Sequence, residues 1–124
     1  NKLPKKLKLV LKETVKKTKK NKKILVNLAL NYGSKQELVN AFKKIKLKKI
    51  SENNVKNNLY TKKLPDPDIL IRTGGKKRLS NFMLWQLAYA ELYFLDKLWP
   101  DFMTSDLKKI LKHYNKTKRN FGGI

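Results

Sequence analysis

An α/β fold, with a parallel sheet flanked by helices, is the architecture this 124-residue sequence predicts, and three observations lead to it. Two short apolar runs, Ile24 to Leu30 and Ile69 to Ile71, read as buried strands, because parallel strands covered on both faces show continuous rather than alternating hydrophobicity. Helical patterns with capping residues lie between them, and strand, helix, helix, strand implies a right-handed crossover. A chain of 124 residues is long enough for one compact domain with its own core.

In order along the chain, residues 3–19 place Leu3, Leu7, Val10 or Leu11, and Val15 at helical spacing with lysines on the other face. That predicts a surface helix packed by one stripe; a membrane-surface helix is the alternative reading. After the run 24–30, Asn31-Tyr32-Gly33-Ser34 forms a turn. Ser34 then stands as N-cap with Glu37 at the capping-box position, ahead of a helix over about 35–47 whose inward stripe is Leu38, Val39, Phe42 and Ile45. A polar turn after a strand is where α/β proteins place ligands, although turn chemistry alone explains it equally well. Ser51 caps a short helix with Val55 and Leu59 on one face. Leu64-Pro65-Asp66-Pro67-Asp68 cannot be helix interior and delivers the chain into the strand ending at Arg72. Past Thr73-Gly74-Gly75, Ser80 is the predicted N-cap of a helix from Asn81 to about Asp96. That helix would be apolar on nearly every side, hence buried all round, and few elements are left to cover it, so a subunit interface is expected. Thr104 or Ser105 caps a last helix to about Tyr114, with Leu107, Ile110 and Leu111 inward.

Cysteine is absent, which excludes a disulfide framework, a thiolate metal site and a thiol nucleophile and is compatible with a reducing compartment. The basic N-terminus lacks the continuous apolar segment of a signal peptide. The longest charge-free stretch, Leu79 to Ala90, has 12 residues, against about 20 for a spanning helix; a soluble or peripheral chain is expected. The net charge of +22 first suggests nucleic acid or an anionic membrane surface. Lysine, however, supplies 28 of the 31 basic residues, accompanied by twelve asparagines, which reads as a bias spread over solvated surface. A nucleic-acid site would interleave arginines and aromatics on an exposed face. Here the aromatics cluster in the apolar stretch, so no nucleic-acid partner is expected, and weak attraction to anionic lipid is the next reading of the charge.

Against that lysine background the three arginines, Arg72, Arg78 and Arg119, stand out. Arg72 ends a strand, Arg78 lies six residues on, and Ser80 opens the predicted helix. Strand, glycine turn, arginines and helix start together suit an anion: unpaired N-terminal amides and the helix dipole favour negative charge, and guanidinium forks match phosphate oxygens. The bland alternative is that the arginines cap carbonyls or pair with Asp66 or Asp68. Gly74-Gly75-Lys76-Lys77 does not have P-loop spacing. His113 reads as solvated, and no Ser-His-Asp set, metal-ligand cluster or close carboxylate pair is visible.

LNYGS at 30–34, DPDILIRTGG at 66–75, RLSNFMLWQLAYAELYF at 78–94, LWPDF at 98–102 and FGG at 121–123 resemble, in order, the C-terminal half of the undecaprenyl diphosphate synthases, a cis-prenyltransferase family. The resemblance implies that residues 1–124 are the C-terminal portion of one cis-prenyltransferase domain. Such enzymes condense isopentenyl diphosphate onto farnesyl diphosphate, with Mg2+, to make a polyprenyl diphosphate for the cell-wall lipid carrier. It implies that Arg72, Arg78 and Ser80 hold the isopentenyl diphosphate and that Glu91 supports the metal. It places Asn31 at the active-site rim and Ile24 in the strand walling the product tunnel. It further implies a homodimer built on the apolar helix, with Arg119 and Gly122 reaching the partner subunit's site, and a cytoplasmic location with peripheral contact at the inner membrane face.

Ser80 and Glu91 are 11 residues apart, about 16 Å along a straight helix, so both cannot touch one diphosphate from one uninterrupted helix. Either the helix is broken or Glu91 acts across the interface or through the metal; the interface explanation is favoured. The chain departs from the family pattern at Lys76, at Asn120, and in carrying nothing like the family's Asp-Gly-Asn-Gly-Arg segment. Residues 1–124 alone are therefore expected to be inactive, and a non-catalytic subunit of a heteromeric cis-prenyltransferase is the alternative.

Overall fold

A computed structural model of the chain describes residues 3–45 and 50–120. The chain divides into two compact units, Asn1–Tyr32 and Gly33–Ile124.

In the first unit, helix α1 spans Lys5–Thr18, close to the predicted limits. Pro4 precedes it, and Lys16 and Lys17 sit in the last turn, where positive charge suits the helix dipole. None of its residues is buried. The strand predicted over 24–30 does not form: the segment is irregular, and Ile24 is 79% exposed. An extended segment becomes a strand only when a neighbour takes its N–H and C=O groups, and among the described residues none does.

The second unit carries α2 (Ser34–Phe42), α3 (Glu52–Lys56), β1 (Ile69–Arg72), β2 (Glu91–Phe94), a 3-10 turn at Trp99–Asp101 and α4 (Thr104–Tyr114). β1 and β2 pair in parallel, from Ile69 opposite Glu91 to Arg72 opposite Phe94. The predicted helix from Asn81 to Asp96 is thus replaced by turns at 80–89 followed by a strand. Ser80, Asn81 and Met83 adopt positive φ (49°, 65° and 46°), which no right-handed helix tolerates. Beyond them Glu-Leu-Tyr-Phe finds a ladder partner in β1, and that pairing overrides the helical propensity of the stretch.

Ser51 caps α3 as expected, its Oγ accepting from Asn54 N–H at 3.2 Å. Val55 and Leu59 are buried with Ala41, and Leu38, Ile45 and Trp85 pack on this small core. Fully burying a side chain such as Leu59 contributes about 2 kcal/mol. The inward face of α2 is rotated from the predicted stripe: Ser34, Glu37 and Ala41 are buried while Val39 and Phe42 are exposed. α4 starts one residue earlier than a Thr104 cap implies and two earlier than a Ser105 cap: Met103 is the N-cap, its N–H donating to Asp106 at 2.9 Å. Ile110 is buried, but Leu107 and Leu111 stay partly open. His113, on α4, meets β2 through Tyr93, its Nδ1 lying 2.9 Å from the Tyr93 hydroxyl. Among the described residues no helix is long and apolar enough to cross a membrane.

Candidate functional site

The carboxyl end of β1 is built by its own turn. Leu95 N–H donates to the Arg72 carbonyl at 2.8 Å, extending the ladder one step. Gly74 and Gly75, at φ 87° and 70°, then fold the chain back, their N–H groups donating to the carbonyls of Lys97 and Leu95. The left-handed conformation they share is one glycine adopts without a Cβ penalty. The loop returns at Arg78, Leu79 and Ser80 beside the strand it left.

Arg72 closes that return. Its guanidinium donates to the Ser80 Oγ at 3.0 Å and to the Arg78 carbonyl. Arg72 is half-buried, while Arg78 and Ser80 face solvent. The Arg78 guanidinium has no partner among the described residues. Leu70, Ile71, Arg72, Arg78, Leu79 and Phe82 enclose a cavity of about 220 Å³. Of the sequence-predicted trio, Arg72 and Arg78 line this pocket at the sheet's carboxyl edge, and Ser80 joins them through its hydrogen bond to Arg72 rather than as lining. Its character differs from the expectation in one respect: Ser80 caps no helix, so the anion-attracting element is two guanidiniums and a hydroxyl, without a helix dipole. The carbonyl-capping reading of Arg72 is observed, and the same side chain lines the pocket.

The loop is held from the other side by α2. The Ser34 and Lys35 N–H groups donate to the Asn81 carbonyl and Asn81 Oδ1, both at 2.8 Å. Ser34 Oγ accepts from Leu84 N–H at 3.0 Å. Glu37, wholly buried, accepts from Tyr60 N–H at 2.7 Å and from Gln86 Nε2 at 3.1 Å. The predicted capping box at Ser34 and Glu37 is thus not made; Gly33 is the N-cap and both side chains tie the 81–86 segment to α2 instead. Sequence reasoning missed Asn81, and missed these roles of Ser34 and Glu37. The one available signal was the Ser-Asn pair, since asparagine tolerates positive φ better than most residues.

Glu91 is separated from this cluster. It opens β2 opposite Ile69, three positions before the partner of Arg72, about 10 Å along the strand. The predicted helix joining Glu91 to Ser80 is broken, so the first of the three explanations holds and the favoured interface one is not needed to account for the spacing. Among the described residues no three carboxylates or histidines gather as a metal site. Magnesium sites combine one or two carboxylates with phosphate oxygens, and Glu91 lies too far from an anion on Arg72 to share an ion with it in this arrangement. The described residues do not by themselves fit Mg2+.

Arg119 sits at the opposite, amino end of the sheet. It donates to Asp68 Oδ1 at 2.7 Å, to the Tyr114 hydroxyl and to the Tyr89 carbonyl at 3.0 Å. The Arg119 hydrogen bond holds Asp68 below the usual carboxylate range, and Asp68 in turn raises the Arg119 pKa. The Tyr93 hydroxyl is pushed up by burial and by the charge of Glu91. Gly122 lies outside the described residues. Asn31 and Ile24 fall in the first unit, Asn31 in a turn at φ 51° and Ile24 in exposed, irregular chain.

Comparison with known proteins gives one consistent result. The Prenyltransf family model, for undecaprenyl diphosphate synthase, matches residues 1–122. An isoprenyl transferase of Prochlorococcus marinus is 46% identical, covering 98% of this chain and 48% of its own length. One of Fusobacterium nucleatum is 44% identical, covering 100% and 55%. Among solved structures, a probable undecaprenyl diphosphate synthase from Campylobacter jejuni superposes with TM-score 0.85 at 38% identity, covering 98% of this chain and 58% of that one. Lavandulyl diphosphate synthase from Lavandula x intermedia, in complex with dimethylallyl diphosphate, gives 0.90 at 36% identity, covering 98% and 56%. The chain spans about half the length of the curated relatives it matches.

Proposed function

Since the chain belongs to the undecaprenyl diphosphate synthase family of prenyltransferases, we propose that it is the part of a cis-prenyltransferase that holds isopentenyl diphosphate. The observation that carries this reading is the Arg72 clamp on Ser80, with Arg78 unpaired beside the same cavity. Guanidinium forks bind diphosphate oxygens in pairs, and a fixed Arg72 loses little freedom on binding. Held there, the isopentenyl double bond attacks C1 of an allylic diphosphate such as farnesyl diphosphate. Diphosphate leaves from that carbon and the isopentenyl unit loses a proton, leaving a cis double bond. Repeated additions give a polyprenyl diphosphate of the undecaprenyl type, suited to a cell-wall lipid carrier.

Mg2+ belongs to this proposal only as chemistry the family resemblance implies, supplying charge to diphosphate oxygens. The resemblance offers Glu91 to it, but Glu91 stands apart from the arginine pocket and does not by itself make a Mg2+ site. A homodimer is likewise proposed: Tyr89, Leu98 and Trp99 leave large apolar surface open, which sedimentation of the full-length protein would show as a dimer. A cytoplasmic protein with peripheral contact at the inner membrane face accords with the lysine-rich α1. The second reading, a non-catalytic subunit of a heteromeric enzyme, is favoured by the lack of a carboxylate cluster among the described residues.

The test of the first reading is Arg78→Ala in the full-length enzyme. The Michaelis constant for isopentenyl diphosphate should rise about tenfold or more while that for farnesyl diphosphate holds. An unaltered isopentenyl diphosphate constant sinks it.

A further inference from the structure

We propose that Asn81 is a positioning residue for the diphosphate loop, fixing Ser80 and the Arg72 clamp through the N-terminal turn of α2; this rests on the reading of Arg72, Arg78 and Ser80 as the isopentenyl diphosphate site. A helix leaves its first N–H groups without intrahelical acceptors. In α2 two of these, Ser34 and Lys35, are taken by the carbonyl and the side-chain oxygen of one residue 46 positions later in the chain, Asn81, both at 2.8 Å. The helix end is thereby satisfied by the loop, and the loop gains a rigid anchor. Asn81 follows Ser80 directly, so its anchorage sets where the Ser80 hydroxyl stands, 3.0 Å from the Arg72 guanidinium.

The fit is tight on the helix side. A Cβ on Gly33 would lie 2.9 Å from Asn81 Nδ2, closer than side chains approach. The loop is also strained, with Ser80, Asn81 and Met83 all at positive φ. Non-glycine residues hold such conformations only where surrounding structure over-determines them. Three tethers do so here: Arg72 on Ser80, α2 on Asn81, and Ser34 Oγ on Leu84 N–H. Cutting the Asn81 tether removes no diphosphate-contacting group and releases only the conformation that aligns them.

Two substitutions separate the tether from the backbone shape. Asn81→Gly keeps positive φ accessible and deletes the Oδ1 acceptor. Asn81→Asp keeps an acceptor for Lys35 N–H. Isopentenyl diphosphate affinity is measured by calorimetry on the full-length protein, beside Arg78→Ala and a thermal melt of each variant. Asn81→Gly should bind about tenfold more weakly, with farnesyl diphosphate affinity unchanged and Asn81→Asp close to wild type. Gly33→Ala should reproduce the Asn81→Gly loss by pushing the amide away. If Asn81→Gly binds normally while Arg78→Ala does not, the positioning role is wrong and the site stands. Equal losses in Asn81→Asp and Asn81→Gly also overturn the tether. If Arg78→Ala binds normally, the site reading itself falls and the inference with it.

Discussion

The two ends of the β1–β2 ladder each carry arginine, and they use it in opposite ways. At the amino end, Arg119 is compensated: a carboxylate, a phenol and a carbonyl accept from it, and the Tyr114 ring centre lies 5.5 Å from its guanidinium carbon. At the carboxyl end, among the described residues, the Arg72 guanidinium donates to a carbonyl and a hydroxyl, and the Arg78 guanidinium beside it has no partner. Among the described residues no ion pair joins either one to a carboxylate. A compensated guanidinium is a fastener, whereas one held in place but left uncompensated keeps its charge for a ligand. The residue type therefore says little by itself; the acid beside it decides.

The strongest test of that contrast is Arg72→Ala, which removes both the clamp and a charge-assisted donor. Isopentenyl diphosphate affinity should fall about a hundredfold, read by calorimetry, and Arg72→Lys should restore only part because lysine has no fork. Full affinity in Arg72→Ala would erase the distinction between the ends. Next in size, Ser34→Ala strips the acceptor from Leu84 N–H and should lower stability by about 1–3 kcal/mol, seen as a reduced urea midpoint with an unchanged slope. Smaller still, Arg119→Ala should lower the melting temperature while leaving isopentenyl diphosphate affinity intact. A loss of affinity there would mean that the amino end also serves the ligand.

Much of this was legible in the sequence, and the failures share a cause. α1, α3, β1 and α4 lie close to their predicted limits because their signals are local: helical spacing, a Ser51 cap, the Pro65–Pro67 break, a short apolar run. The closeness of Arg72, Arg78 and Ser80 was legible for the same reason, since they lie within nine residues of one turn. The segment 81–94 was misread because leucine, methionine and alanine favour a helix, while its actual form depends on a strand partner at Ile69–Arg72 and on left-handed residues at 80, 81 and 83. The run 24–30 failed in the converse way, having strand composition but no ladder partner. Ser34 and Glu37 were assigned local caps, yet their acceptors serve donors some fifty and twenty-three positions away. Propensity and capping rules see only near neighbours, and the α2-to-loop tether is made entirely of distant ones.

The smallest effect separates the two ends by pH. The Arg119 hydrogen bond lowers the Asp68 pKa, and Lys97, at 2.7 Å, together with the Met103 N–H lowers that of Asp106. A carboxylate whose folded pKa is depressed binds fewer protons folded than unfolded in the acid range. Its contribution is thus fully present above the unfolded value, about 3.9, and is lost as pH falls through the lower folded value. The urea midpoint should therefore hold level from pH 7 to about 5 and decline below about 4. Asp68→Asn should flatten part of that decline, modestly, because the Asp68 side chain is largely open to water. The rest of the slope falls to Asp106, whose partner Lys97 follows β2 and takes the Gly74 N–H on its carbonyl. A decline in Asp68→Asn as steep as in the wild type would show that the Arg119 fastener is not what titrates.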